Sequence, residues 1–108
     1  MNIILHYQYS KSETEQLEGT QIFSNHSNFT LEHAHVEIEK YLIGHVFFIP
    51  NHLGIAPLDG TTNPSEDADY HEYEGLEFTA DHEEGMQDII ELIAALKQFK
   101  NTHPDEFW

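Results

Sequence analysis

The sequence predicts an α+β fold, in which a mainly antiparallel sheet of four or five strands carries two helices on one face, in the order β-β-α-β-(β)-β-α. Segments 2–9 and 70–79 alternate apolar and polar residues at period two, as half-buried strands do. Segments 31–42 and 86–99 repeat apolar residues at three-and-four spacing, as amphipathic helices do. A chain of 108 residues is too short for two ordinary domains. We therefore predict one domain over residues 1–100 and a C-terminal tail over 101–108.

The first two strands are predicted to form a hairpin. The odd-numbered positions of segment 2–9 are apolar or aromatic, whereas His6 and Gln8 share the opposite face. The polar stretch 10–19 ends in glycine and predicts a loop, after which residues 20–25 form a short antiparallel partner. The hairpin is therefore expected to have a long, solvated tip.

Helix one is predicted to begin after Thr30, which has an N-cap residue type and lies directly before the apolar stripe. Gly44 follows the stripe and is expected to be the C′ residue of this helix. Residues 45–49 are β-branched and aromatic and are stopped by Pro50, which is typical of a short third strand.

Residues 51–69 predict a long irregular stretch, because they contain two glycines and two prolines. A loop of this length in a small domain is either functional or conceals a short strand. Residues 53–58 are the place where such a strand would fit.

The last strand and the last helix each carry a local signal. Gly75 is expected to mark a β-bulge, because Tyr73 and Leu76 are otherwise out of phase. Asp81 and Glu84 have the spacing of a capping box and predict the N-terminus of helix two.

The charge balance is the unusual feature of the composition. Asp and Glu number 20 against 4 Lys and Arg, which gives a formal net charge of -16 with the nine histidines neutral. A chain of this charge repels nucleic acid. All four basic residues are lysines, so no arginine is present for bidentate recognition of phosphate. We therefore expect no nucleic-acid partner.

Other classes of protein are excluded by what the sequence lacks. The chain has no cysteine, which excludes disulfides and Cys-ligated metal sites. No apolar run approaches the roughly 20 residues that cross a bilayer. The first residues also lack the basic and apolar regions of a signal peptide. We therefore expect a cytoplasmic protein with no membrane partner and no cofactor.

Acidic residues are concentrated between Tyr41 and Leu96, where twelve acids and no lysine occur. If these side chains meet on one surface, their potential would attract a basic protein and speed its encounter. The sequence therefore predicts a non-enzymatic protein-binding module, such as an inhibitor or an immunity protein. The predicted partner-binding residues are Glu66, Asp67, Asp69, Glu72, Glu74, Glu83 and Glu84. The alternative is that these acids form only a solvated surface that keeps the domain soluble.

The nine histidines raise the alternative of a small protein that binds a divalent metal. Asp69 and His71 share one strand face, and His82 or Glu84 could approach from the next helix, which gives carboxylate and imidazole ligands. The predicted set of ligands is Asp69, His71 and His82. No HExxH spacing is present to support it. A third alternative is a homo-oligomer that pairs an exposed sheet edge, which the net charge opposes at low salt. No serine lies in a GxSxG motif, and we predict no catalytic residue.

Several short segments also resemble a family of small acidic bacterial proteins of unknown function. The segments are the strand 3–9, the turn 23–25, the helix start 30–32, Gly44 before a Phe-rich strand, the run 71–74 and the closing helix 89–100. The resemblance implies the same α+β fold and assigns no catalytic or binding residue. In charge and size alone, the chain is also similar to toxin-neutralising immunity proteins.

Overall fold

A computed structural model describes residues 1–63, 65–106 and 108. The elements in chain order are β1 (Asn2–Ser10), β2 (Gln16–Phe23), α1 (Leu31–Glu39), β3 (Phe47–Phe48), β4 (His71–Thr79) and α2 (Ile89–Thr102), with a 3-10 turn at Pro50–His52. The strands form one antiparallel sheet in the order β2-β1-β4-β3. The predicted α+β fold is confirmed.

Both helices pack on the same face of this sheet. Ile3, Leu5 and Tyr7 of β1 are at most 2% exposed. They belong to one apolar cluster with Ile38 of α1 and Leu92 of α2. Burial of each such side chain stabilises the fold by about 1.5–3 kcal/mol, so this face of β1 is the centre of the core.

Gly75 marks the β-bulge that the sequence predicts. The register of β1 against β4 shifts by one residue at this point, so Glu74 has no partner in β1. Gly75 has a φ of 131°, a conformation that residues with a side chain rarely adopt. As a result, Tyr73 and Leu76 both pack against the main core.

The hairpin differs from the prediction, because β2 begins at Gln16 and ends at Phe23. Its tip is short, and the N–H of Lys11 donates to the main-chain oxygen of Glu15 at 2.9 Å. The polar composition of this segment concealed the strand. Gln16 and its alternate neighbours face the side of the sheet that no helix covers, where a strand needs no apolar residues.

The predicted N-cap of α1 is confirmed, because Thr30 Oγ1 accepts a hydrogen bond from the N–H of His33 at 3.1 Å. The predicted C′ role of Gly44 is wrong, since α1 ends at residue 39. Gly44 lies instead in a tight turn in which Ile43 and Phe47 exchange two main-chain bonds of 2.8 and 2.9 Å. The same turn leaves β3 only two residues long.

The stretch 51–69 is irregular but anchored. Over its described residues, which are all but Pro64, it contains no strand, so the strand considered within 53–58 is absent. Leu53 and Ile55 are each 3% exposed and complete the core. Asn51 Oδ1 accepts a bond from the N–H of Ala68 at 3.1 Å, which ties the two ends of the loop together, and Asp59 Oδ2 accepts a bond from the N–H of Asp69 at 2.7 Å, which holds its middle.

Asp88 caps α2, and the predicted capping box of Asp81 and Glu84 is wrong. Asp88 Oδ2 accepts a bond from the N–H of Ile90 at 3.0 Å, and the helix begins at residue 89. The local spacing at 81–84 is that of a capping box, but the apolar residues that the helix buries begin only at Ile89.

The cap also joins α2 to the end of β2. Asp88 Oδ1 accepts bonds from Ser24 Oγ at 2.8 Å and from the N–H of His26 at 3.1 Å. Burial acts to raise the pKa of Asp88, but the bonds from Ile90, His26 and Ser24 outweigh it and lower the pKa below its ordinary value.

Asp88→Ala is expected to lower the free energy of unfolding by about 1–2 kcal/mol, because the helix loses its cap and two further donors lose their acceptor. Asp81→Ala is the matched control, since Asp81 is exposed, and its effect should stay within about 0.5 kcal/mol. Urea denaturation of both variants measures the difference. A loss at Asp81 as large as that at Asp88 would show that the cap is wrongly placed.

The contribution of Asp88 is expected to depend on pH. Its pKa is lower in the folded protein than in the unfolded chain. The stabilisation is therefore full above the unfolded pKa and disappears as the pH falls through the folded one. The stability difference between wild type and Asp88→Asn should be largest near neutral pH and shrink below about pH 4. Urea titrations at several pH values measure it, and a difference that grows on acidification would contradict the lowered pKa.

Candidate functional site

The helices leave one face of the sheet uncovered, and we call it the outer face. Because Ile3, Leu5 and Tyr7 point to the core, the residues between them in β1 point to the outer face. The strand register then places the cross-strand neighbours. The polar side chains of the outer face include His6, Gln8, Glu18, Thr20, Glu72, Glu74 and Glu77.

A groove of about 550 Å³ crosses the outer face. It is lined by side chains of three adjacent strands, which include His6 and Gln8 of β1, Glu18 and Thr20 of β2, and Glu74 of β4. The β-bulge brings Glu74 into this groove, because it adds one residue to β4 on this side. The groove is therefore polar and open, and two of its lining residues, Glu18 and Glu74, carry carboxylates.

Two other carboxylates of the outer face, those of Glu77 and Glu72, contact side chains of β1. His6 Nε2 lies 2.6 Å from Glu77 Oε1. Gln8 Nε2 donates to Glu72 Oε2 at 2.8 Å. Because the backbone of β1 is paired on both sides, the main-chain positions of His6 and Gln8 are set by the sheet. The charged side chains of the outer face are thus carried by paired strands and not by a loop.

The carboxylates of the outer face repel one another. Burial in the groove raises the pKa of Glu74, and the charge of Glu72, a hydrogen bond with Glu72 and the charge of Glu18 raise it further. A carboxylate surrounded by like charges is stabilised in its ionised form when a cation approaches. The outer face is therefore suited to bind a positively charged group.

The lysines lie elsewhere. Lys11 follows β1 in the hairpin turn, Lys40 caps the end of α1, and Lys97 and Lys100 lie in α2. Lys11 lies 3.9 Å from Glu15, and Lys40 lies 2.9 Å from Glu37. The negative charge of the outer face is therefore not offset by a lysine on its strands.

The structure divides the seven predicted partner-binding residues among three places. Glu72 and Glu74 lie on the outer face, Glu66, Asp67 and Asp69 precede the start of β4, and Glu83 and Glu84 follow its end. A strand of nine residues spans about 26 Å between its first and last Cα atoms. The two loop groups thus lie at opposite ends of the sheet, and only Glu72 and Glu74 share the groove face.

Two of the loop carboxylates already have partners within the chain. Asp67 Oδ1 lies 2.6 Å from His52 Nε2. Asp69 Oδ2 accepts a hydrogen bond from the hydroxyl of Tyr9 at 2.7 Å. A partner that used these carboxylates would compete with those contacts. The role of the loop acids in partner binding stays a prediction.

The predicted metal ligands Asp69, His71 and His82 do not form a cluster of ligands. His71 is 0% exposed. Its Nε2 accepts from the N–H of Leu58 at 2.9 Å, and its Nδ1 donates to the main-chain oxygen of Asp69 at 2.8 Å. Across residues 1–63, 65–106 and 108, no three His, Asp or Glu side chains are arranged to hold a metal ion. His71 therefore serves the core, and the metal-site prediction gains no support from this geometry.

Sequence reasoning missed Glu18 and Glu77 as members of the outer face, and it placed His6 on that face without assigning it to the site. A signal for His6 was present, because the alternation in β1 already placed it opposite the core. Glu18 required the correct start of β2, and Glu77 required the register beyond the bulge. Both depend on strand pairing, which is a contact between segments distant in sequence.

Comparisons with known proteins give no further guide to the site. No protein-family profile matches the chain, and neither a curated protein nor a solved structure shows significant similarity to it. The resemblance to small acidic bacterial proteins therefore stays a prediction. Among the described residues, no helix has the length and apolar character that a bilayer span requires.

Proposed function

We propose that this protein is a non-enzymatic binding module whose outer face engages a basic surface of a partner protein. The observation that supports the proposal is the set of four carboxylates, Glu18, Glu72, Glu74 and Glu77, on a sheet face without a covering helix. An inhibitor or an immunity protein that neutralises a cationic protein is one form that such a module takes.

Electrostatic attraction to this face would act mainly on the rate of encounter. Exposed ion pairs contribute only about 0.2–1 kcal/mol each, but a surface of one sign steers an oppositely charged partner over about a Debye length of 8 Å at physiological salt. The net charge of -16 adds to this long-range attraction. Binding should therefore weaken steeply as the salt concentration rises.

The proposal predicts that four substitutions on the outer face abolish partner capture. The test variant carries Glu18→Gln, Glu72→Gln, Glu74→Gln and Glu77→Gln. Tagged protein is used to capture partners from its native cells at about 50 and about 300 mM salt, which changes the screening length about twofold. We expect wild type to retain a basic protein at low salt and the test variant to lose it. Thermal unfolding of the variant checks that the fold is intact.

The matched control removes the same charge elsewhere. It carries Glu66→Gln, Glu83→Gln, Glu84→Gln and Asp105→Asn, all at exposed positions. Each variant loses four negative charges, from -16 to -12 (16 minus 4). Retention of the same partner by the control, but not by the test variant, supports the outer face. Loss with the control alone would assign binding to the loop acids, and capture that ignores salt would refute the electrostatic basis.

A further inference from the structure

The free edge of β2 accepts a main-chain partner at its C-terminal end. Ser24 directly follows β2, and its N–H donates to the main-chain oxygen of Gln87 at 2.9 Å. Its own oxygen accepts from the N–H of Ile89, also at 2.9 Å. Ser24 and Asp88 thus form a parallel bridge. The chain itself therefore adds one short segment to this edge of the sheet.

The same geometry identifies the groups that remain at the edge. Main-chain N–H and C=O groups of an antiparallel strand point alternately to one neighbour and to the other. Because the groups of Ser24 point away from β1, those of Thr20, Glu18 and Gln16 do so as well. In the described part of the chain, these three residues have no main-chain partner on that side. They are also exposed.

This edge lacks the devices that usually prevent strand addition. Native edge strands are commonly short, bulged or protected by proline or lysine. β2 has eight residues with neither proline nor lysine, and its register with β1 is continuous. The charged side chain that it presents is Glu18, which opposes an acidic strand and attracts a basic one.

We propose that an extended, lysine- or arginine-bearing segment of the partner adds to β2 as a fifth strand of the sheet. This inference rests on the proposed function and specifies how the partner binds. Side chains of an added strand would lie about 5 Å from those of β2. Its basic residues would then share the outer face with Glu18 and the groove that contains Glu74. A second copy of this chain fits less well, because pairing of two β2 edges joins two outer faces of the same charge.

A synthetic peptide of eight residues, with alternating Lys and Val, tests the inference on the full chain. Amide hydrogen exchange is followed by NMR with and without the peptide. We expect exchange at Gln16, Glu18 and Thr20 to slow by about tenfold or more, because their N–H groups become hydrogen-bonded. Exchange at Leu17 and Gly19 should not change, since their N–H groups already face β1. A peptide of alternating Glu and Val is the charge control and should not bind.

Two N-methylated forms of the lysine peptide separate strand addition from simple charge attraction. One form carries a methyl group on the backbone nitrogen of every Lys, and the other on the backbone nitrogen of every Val. The lysine side chains are unmodified, so both forms keep the full positive charge. Only one edge of an added strand faces β2. One methylated form should therefore lose at least about tenfold in affinity, while the other binds as the parent does.

A protein variant gives an independent readout. Thr20→Pro removes an edge-facing N–H at a position where an edge strand tolerates proline, and Thr20→Ala keeps it. We expect the proline variant to bind the lysine peptide about tenfold more weakly than the alanine variant. The peptide experiments use wild-type protein, so they decide the question even if the proline variant fails to fold.

The outcomes distinguish this inference from the proposed function. Strand addition is overturned if both methylated peptides bind equally. It is also overturned if the peptide does not slow amide exchange at alternate residues of β2. In either case, the capture experiment with the four-glutamate variant still tests the outer face. Failure of the lysine peptide to bind at low salt also overturns strand addition. The dependence of partner capture on the outer-face glutamates then decides the function separately.

Discussion

His71→Phe is expected to lower the free energy of unfolding by about 3 kcal/mol, because two part-buried main-chain groups lose their partners at a cost of about 1–3 kcal/mol each. The His71 ring is 0% exposed and bonds both the N–H of Leu58 and the oxygen of Asp69. It also stacks on Tyr9, with ring centroids 5.0 Å apart. Because phenylalanine keeps an aromatic ring in the core, the decrease in the free energy of unfolding measures the contribution of the two hydrogen bonds. Urea denaturation measures it.

His82→Phe is the control for this substitution, since His82 is exposed. Its effect on the free energy of unfolding should stay within about 0.5 kcal/mol. Comparable losses at His71 and His82 would contradict the assignment of His71 to the core. Zn²⁺ added to wild type offers a second check, because a raised melting temperature that either substitution abolishes would restore the metal site.

Gly19→Val is expected to destabilise the protein by about 2 kcal/mol through overpacking, although valine favours strands. A Cβ atom at Gly19 would lie 2.8 Å from Tyr7 Cζ and 3.0 Å from Leu58 Cδ2. The Tyr7 ring cannot move freely, because its hydroxyl donates to the main-chain oxygen of Ala56 at 2.7 Å. The substitution therefore disturbs the core and the bond that anchors the long loop.

Thr20→Val makes the matched change one residue further along β2. Thr20 points to the outer face and is exposed, so a second valine meets no core atoms there. We expect its effect to stay within about 0.5 kcal/mol. If thermal and urea unfolding show Gly19→Val to be as stable as Thr20→Val, the close approach of Tyr7 to β2 is wrong.

Features that depend on neighbours in sequence were predictable from the sequence. Thr30 could be identified as a cap because its hydroxyl oxygen accepts a bond from His33, only three residues later in the sequence. Gly75 was identified as a bulge because the phase of apolar residues changes across it. The apolar stripes gave the two helices and their common face on the sheet, since burial of one face imposes that pattern.

Features that depend on contacts between distant segments were not predictable. The capping bond from Ile90 to Asp88 is local, but the two further bonds to Asp88, from Ser24 and His26 after the end of β2, join distant segments and were not predictable. The burial of His71 depends on Leu58, which belongs to an irregular loop. For the site, the sequence showed which part of the chain holds most of the acids. Which of those acids lie on the same face depends on the register of the strands.

The pKa of Glu74 tests most directly whether the outer-face carboxylates act together. It can be followed by NMR titration of the side-chain carboxyl carbon in wild type and in a Glu18→Gln/Glu72→Gln variant. We expect the wild-type pKa to lie above the ordinary value for glutamate, and the variant pKa to fall towards it as two like charges are removed. A wild-type pKa at or below the ordinary value, unchanged in the variant, would show that these carboxylates do not share one surface.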